Sequence, residues 1–172
     1  MYIEFQNIVI RNASADDAET LCRWWNDGKV MAHAGFPKGL GTTVQKIEEA
    51  LRQDTEDTFR RLILEIGGAE VGELSFRDFG KSCEIGIKIC DEAYQNHGYG
   101  RIVLSLFIKE LFKKYERIFL DTDLENIRAQ HVYEALGFKR VKVRYNSWVN
   151  QIGVLRSAVD YELLPEHFKP VI

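Results

Sequence analysis

Several features are scarce in this chain of 172 residues, and each scarcity excludes something. Only three cysteines occur. Cys22, Cys83 and Cys90 form no CxxC pair and no metal-like spacing, so reduced, buried thiols are expected rather than disulfides. The four histidines (His33, His97, His131, His167) make no HExxH pattern, and no metal ion is expected. No apolar run approaches the roughly 20 residues of a membrane helix, so no membrane role is expected. The GxGxxG of dinucleotide folds and the GKS or GKT of a P-loop are both missing. An excess of positive charge is missing too. The net charge of −3 argues against a general nucleic-acid binder.

What remains is the composition of an ordinary globular protein, 45% hydrophobic and 28% charged. The length suits one domain over residues 1–172 with a sizeable core. The opening "MYIEFQNIVIRN" carries Glu4 and lacks a basic n-region and a small-residue cleavage site. It reads as a first strand and not as a signal peptide, which makes the cytoplasm the expected location. Charge is uneven. Residues 1–70 hold 12 acids and 8 bases, whereas 71–172 hold 14 and 15. That split suits a cationic substrate on one side and an anionic one on the other, and also suits plain solvated surface.

Strand and helix signals alternate along the chain. "SADDAETLCRWWNDG" opens on Ser14 as an N-cap, places Ala18, Leu21, Cys22 and Trp25 on one face, and ends at Gly28. "TTVQKIEEALRQ" is a second helix, with Thr42 and Gln45 in capping-box spacing. "TFRRLILEI", Gly67-Gly68 and "EVGELSFRDF" read as a hairpin, and "SCEIGIKIC" as the next strand. "RIVLSLFIKELFKKY" has a broad apolar stripe, so it is a helix. "RIFLDTDL" is a strand, "ENIRAQHVYEAL" a helix stopped at Gly137, and "FKRVKVRYNSW" and "SAVDYELL" are two closing strands. The order is β-α-α-β-β-β-α-β-α-β-β. The βαβ unit within residues 82–124 makes its two strands parallel neighbours. The expected fold is a single-domain, mixed α+β (α/β) sheet. It is mostly antiparallel, with a central parallel pair and helices on both faces.

The stretch "YQNHGYGR" (Tyr94–Arg101) stands where a strand hands over to a helix. A helix start presents free N–H groups and partial positive charge, and glycines let that backbone approach an anion closely. From spacing alone, an ordinary strand-to-helix turn explains the same residues. The pattern Gln95-x-x-Gly98-x-Gly100 resembles the Q/R-x-x-G-x-G/A signature of the GCN5-related N-acetyltransferase (GNAT) superfamily. "ENIRAQHVYEALGFKRV" resembles the later block of that superfamily. "RWWNDGKVM" is similar to the branch holding ribosomal-protein-alanine and spermidine acetyltransferases.

The resemblance implies an acetyl-CoA-dependent N-acetyltransferase. It would acetylate a small-molecule amine, a polyamine or a protein N-terminus by direct attack in a ternary complex. The resemblance also implies the roles. Ile87, Lys88 and Ile89 would offer strand backbone to pantetheine. Gln95, Asn96, His97, Gly98, Tyr99, Gly100 and Arg101 would wrap the diphosphate. Asn126 would hydrogen-bond the cofactor, and Tyr133 would protonate the departing thiolate. Where many relatives have a proline after this strand, the chain has "CDEAY".

Each residue has a plain structural reading beside the functional one. Tyr133 falls on the apolar stripe Ala129, Val132, Tyr133 and Leu136, so packing is the alternative. Asn126 also fits a helix N-cap. Glu84 is the candidate general base, with Glu73 in reserve. His33, Trp24 and Phe36 are candidates for the acceptor pocket. Lys139, Arg140, Lys142 and Arg144 are candidates for the cofactor's ribose phosphate, or are a solvated basic face. A non-catalytic acyl-CoA sensor of the same fold is the alternative to an enzyme. The resemblance, and not any pattern of residues, suggests pairing of two copies through the C-terminal strands.

Overall fold

A computed structural model describes residues 1–172. One eight-stranded sheet runs through it, with spatial order β1-β2-β3-β4-β5-β6-β8-β7. The first apolar stretch forms two strands rather than one, β1 (Tyr2–Phe5) and β2 (Ile8–Asn12). They pair with Phe5 opposite Ile8, and Gln6 takes a left-handed φ of 53°. Glutamine gives no turn signal, so the sequence reads straight through this hairpin.

Three helices follow: α1 (Ala18–Trp25), α2 (Gly28–Met31) and α3 (Val44–Gln53). Ser14 precedes a 3-10 turn, and Asp17 accepts from its N–H at 2.7 Å, so α1 starts a turn later than expected. The cap of α3 is Thr43 and not Thr42; its hydroxyl accepts from the Lys46 N–H at 3.3 Å. β3 (Phe59–Ile66) and β4 (Ala69–Phe79) form the glycine-turn hairpin, and β5 (Ser82–Ile89) pairs antiparallel with β4. Then come α4 (Tyr99–Leu111), β6 (Arg117–Asp123), α5 (Ile127–Ala135), β7 (Lys139–Val149) and β8 (Leu155–Leu163).

The sheet is covered on both faces. The larger core packs Phe107, Ile108 and Leu104 of α4 and Leu136, just after α5, against Leu62, Leu64 and Leu74 of the strands. The smaller core packs Leu21, Trp24, Ile47 and Leu51 against Ile63 and Cys90. β3 therefore buries neighbouring residues on opposite faces, which is why it reads as a continuous apolar run. Cys83 and Cys90 are buried, as expected, but Cys22 is only half-buried.

The geometry that matters is the β5–β6 junction. These strands are parallel and paired only at Ser82↔Arg117, Cys83↔Ile118 and Glu84↔Phe119. Beyond Glu84 they diverge, and the sheet splays into a V. β8 pairs β6 on its far side, and β4 pairs β5, so both arms of the V are held rigidly.

Candidate active site

A cleft of about 1180 Å³ runs through that V. On the α4/α5 face it is lined by Gln95, Gly98, Gly100, Arg101, Asn126 and Tyr133. On the α1/α3 face it is lined by Trp25, Met31, His33, Glu73 and Trp148.

The glycine loop is built for close approach. Gly98 is the N-cap of α4 at φ 80°, with nothing within 4 Å of the place a Cβ would take. Gly100 has an ordinary φ inside the first turn. A Cβ there would meet only Ile89 Cδ1, at 4.0 Å. No conformational need explains Gly100; what its small size preserves is open space beside a helix N-terminus. Gln95 Nε2 donates to the Ile89 carbonyl at 2.9 Å and so ties the loop to the end of β5. Arg128 donates to Asn96 Oδ1 at 3.0 Å and lies 3.5 Å from Gln95 Oε1. Arg101 and Arg128 both line the cleft. From Ile85 onward, β5 has no strand partner on the β6 side. Free helix amides, two guanidinium groups, uncrowded glycines and an open strand edge fit a diphosphate on a slender arm that pairs with backbone.

Tyr133 is 7% exposed and packs against Phe138 and Tyr161 at ring distances of 5.7 and 5.9 Å. The packing read from its sequence position is therefore present. Its hydroxyl has no protein hydrogen-bond partner, yet it is not a sealed orphan, and the residue lines the cleft. Burial, reinforced by the Asp121 charge, pushes its pKa up to about 12, which keeps the phenol protonated. Asn126 caps α5, accepting from the Ala129 N–H at 3.3 Å, and lines the cleft as well.

On the other face, Glu73 is 8% exposed. Its Oε1 accepts from Trp25 Nε1 at 2.9 Å and pairs with Lys88 Nζ at 2.6 Å.

Not every expected residue reaches the cleft. Glu84 does not line it: it sits at the last paired position of β5, against Arg77 and Phe119, where the V is closed. Burial first, and then Asp121, raise its pKa. Glu73, eleven residues earlier on the chain, is four pairs further into the open part, opposite Lys88. His97 stands outside the cleft although its loop neighbours line it. Trp24 is buried in the smaller core, and Trp25 takes the cleft-lining place expected of Trp24. A shift of one residue, about 100° around α1, separates the two. Phe36 is exposed and off the cleft. Of the four basic residues expected at the ribose phosphate, all in β7, only Arg144 lines the cleft, and it is committed to Asp121 and Asp160 at 2.9 Å each. Arg140 turns to Gln130 and Glu134 instead. Arg128, Arg61, Ser75 and Trp148 line the cleft without a sequence signal that singled them out. For Arg128 a usable signal existed, a cation at the second position of a helix after an Asn cap, and it was missed.

Comparison with known proteins fits this geometry. The acetyltransferase (GNAT) domain family matches residues 7–139. A curated relative, N-alpha-acetyltransferase 30 of Saccharomyces cerevisiae, is 28% identical over 68 residues, which is 39% of each chain. Among solved structures, RimL, a ribosomal L7/L12 alpha-N-protein acetyltransferase in complex with coenzyme A, superposes with a TM-score of 0.83 at 14% identity, covering 95% of this chain and 98% of that one. Spermidine N-acetyltransferase from Vibrio cholerae, in complex with CoA and spermine, gives 0.81 at 18% identity over 94% and 97%. Ribosomal-protein-S5-alanine acetyltransferase from Vibrio fischeri gives 0.81 at 19% identity over 99% and 100%. At these identities the superpositions speak for the fold alone, and the family match speaks for descent. With its splayed parallel pair, its glycine loop on α4 and a family match over more than three-quarters of its length, the chain belongs to the GNAT acetyltransferase family.

Proposed function

We propose that the chain is an acetyl-CoA-dependent N-acetyltransferase acting on a primary amine by direct transfer. The carrying observation is the cleft itself. It joins an anion-binding helix start to a protonated tyrosine on one face of the sheet and a buried carboxylate on the other. RimL and the Vibrio cholerae enzyme share this fold and are described in complex with coenzyme A.

Bound acetyl-CoA would supply a thioester carbonyl as the acyl donor. The N–H groups at Gln95–Arg101, with Arg101 and Arg128, hold the diphosphate. Backbone of Ile87, Lys88 and Ile89 along the open edge of β5 holds the pantetheine arm. Asn126 steadies the other wall. An ammonium has no lone pair to attack with, so the amine must lose a proton first. Glu73 is the cleft carboxylate that receives it, directly or through water. Glu84, at the closed end of the V, is replaced in that role. Tyr133 keeps its proton until the carbon–sulfur bond breaks and gives it to the leaving sulfur. Both reactants are held together, so no protein nucleophile is required.

Exposed Val141, Tyr145 and Val149 on edge strand β7 support the pairing of two copies through the C-terminal strands. Sedimentation of the purified chain tests that assembly. The reaction is tested by free-thiol release from acetyl-CoA. Amine-dependent release with one acetyl group added to the amine is expected. Tight coenzyme A binding with no release on any amine would refute the enzyme reading.

A further inference from the structure

The acceptor end of the cleft bears on which amine enters, resting on the acetyltransferase reading above. Residues 1–70 carry the acidic excess of the sequence, but none of their acids reaches the cleft. The charged residues they contribute there are Lys29 and Arg61, both basic. The carboxylates on the acceptor side are Glu73, Asp121 and Asp123, and each already holds a cation of the protein. Glu73 pairs with Lys88 at 2.6 Å, Asp121 with Arg144 at 2.9 Å, and Asp123 with Arg156 at 2.7 Å. Glu92, the fourth acid, sits on the turn before the glycine loop and shares a smaller cavity with Lys29 and Gln95. Arg144 is shared with Asp160 and Arg156 with Glu125, so a small acidic excess remains, but no carboxylate on this wall lacks a protein cation, and a polycation needs several that do.

What the wall offers instead is apolar surface. Trp25, Met31, Phe59 and Trp148 line it. Trp148 arrives on the β7–β8 hairpin and packs on Gly35, where any Cβ would meet its ring at 2.6 Å. Gln151 at the hairpin tip bonds the facing loop three times: its Nε2 donates to the Gly39 carbonyl at 2.9 Å, its Oε1 accepts from Lys38 N–H at 2.8 Å, and its N–H donates to the Gly35 carbonyl at 2.8 Å. Trp148 is thus a fixed part of the pocket and not a swinging side chain.

The chemistry of the base points the same way. One oxygen of Glu73 is already shared between Trp25 and Lys88, so an amine that arrives neutral fits the site best. An α-amino group, with a pKa of about 7.7–8.0, is already partly neutral at physiological pH; an alkylamine at about 10.4 is not. We propose that the acceptor is an α-amino group beside a bulky apolar side chain, on an amino-acid derivative or a peptide, with Trp25 and Trp148 selecting that side chain.

The full chain is assayed at neutral pH and saturating acetyl-CoA. Four amines are compared: phenylalanine amide, a short peptide beginning with Phe, the same peptide beginning with Asp, and spermidine. The Phe peptide is expected to exceed both the Asp peptide and spermidine by roughly tenfold or more in kcat/KM. Comparison with the amide tells a peptide acceptor from a free amino-acid derivative. Trp148→Ala is expected to raise KM for the Phe peptide and narrow its lead. Spermidine or the Asp peptide turned over as well as the Phe peptide overturns the inference and leaves the acetyltransferase reading standing. Coenzyme A binding without amine-dependent thiol release on any of the four refutes that reading, and the inference with it.

Discussion

Gly100→Val separates ligand binding from folding, because the two effects of the substitution have opposite sign. Gly100 is the second residue of α4 with an ordinary helical φ, and the nearest atom to an added Cβ is Ile89 Cδ1 at 4.0 Å. Valine is a better helix residue than glycine by a few tenths of a kcal/mol, so the free protein should melt at or slightly above the wild-type temperature. In the complex, the isopropyl group occupies space that the diphosphate needs. Loss of one charge-assisted amide–phosphate bond costs about 1.5–3 kcal/mol. That is a coenzyme A affinity roughly 10- to 150-fold weaker. Calorimetric titration with coenzyme A gives the affinity, and a thermal melt of the same sample gives the stability. Gly98→Ala is the control of opposite kind. At φ 80° the new Cβ meets no neighbour but strains the backbone by about 1–2 kcal/mol, or roughly 2–4 °C of Tm per kcal/mol. Unchanged coenzyme A affinity in a well-folded Gly100→Val protein would refute the placement of the diphosphate on this loop.

Tyr133→Phe should lower kcat by roughly 100-fold or more without changing acetyl-CoA affinity, since the hydroxyl has no protein partner to lose; steady-state kinetics with a coenzyme A titration checks both. Glu73→Gln should depress kcat and alter the pH–rate profile, whereas Glu84→Gln, off the cleft, should leave the profile intact; equal effects would contradict the assignment of Glu73. Asp78 is held down to about 2 by Lys114, Gly80 and Tyr115. Its folded pKa lies below the ordinary 3.8, so its contribution to stability is complete above that value and is lost as pH falls toward 2. Asp78→Asn should therefore lose less stability than wild type across that acid window, as read by urea unfolding at a series of pH values.

The order of elements from α3 onward, the central parallel pair and the glycine loop at the start of α4 were legible in the sequence. Each rests on local periodicity or on residues adjacent in the chain: alternating Ile85, Ile87 and Ile89, the stripe of α4, and Gly98 and Gly100 at its first turn. The β1–β2 hairpin was not legible, because Gln6 adopts a left-handed φ without any turn residue to announce it. Which carboxylate faces the cleft was not legible either. Glu73 and Glu84 are both strand acids flanked by apolar residues, and only the three-pair limit of the β5–β6 ladder puts Glu84 in the closed end and Glu73 in the open one. The same holds for Trp24 and Trp25, one residue apart on α1 and pointed by helix docking into core and cleft. The charge of the acceptor pocket could not be summed from the chain, because Lys88, Arg144 and Arg156 pair with acids that lie 15 to 33 residues away. Periodicity and backbone chemistry are written locally, so the sequence by itself set most of the elements and the glycine loop. Strand splay and ion pairing are relations between distant segments, so tertiary structure alone decided which side chains share the cleft and what charge they leave there.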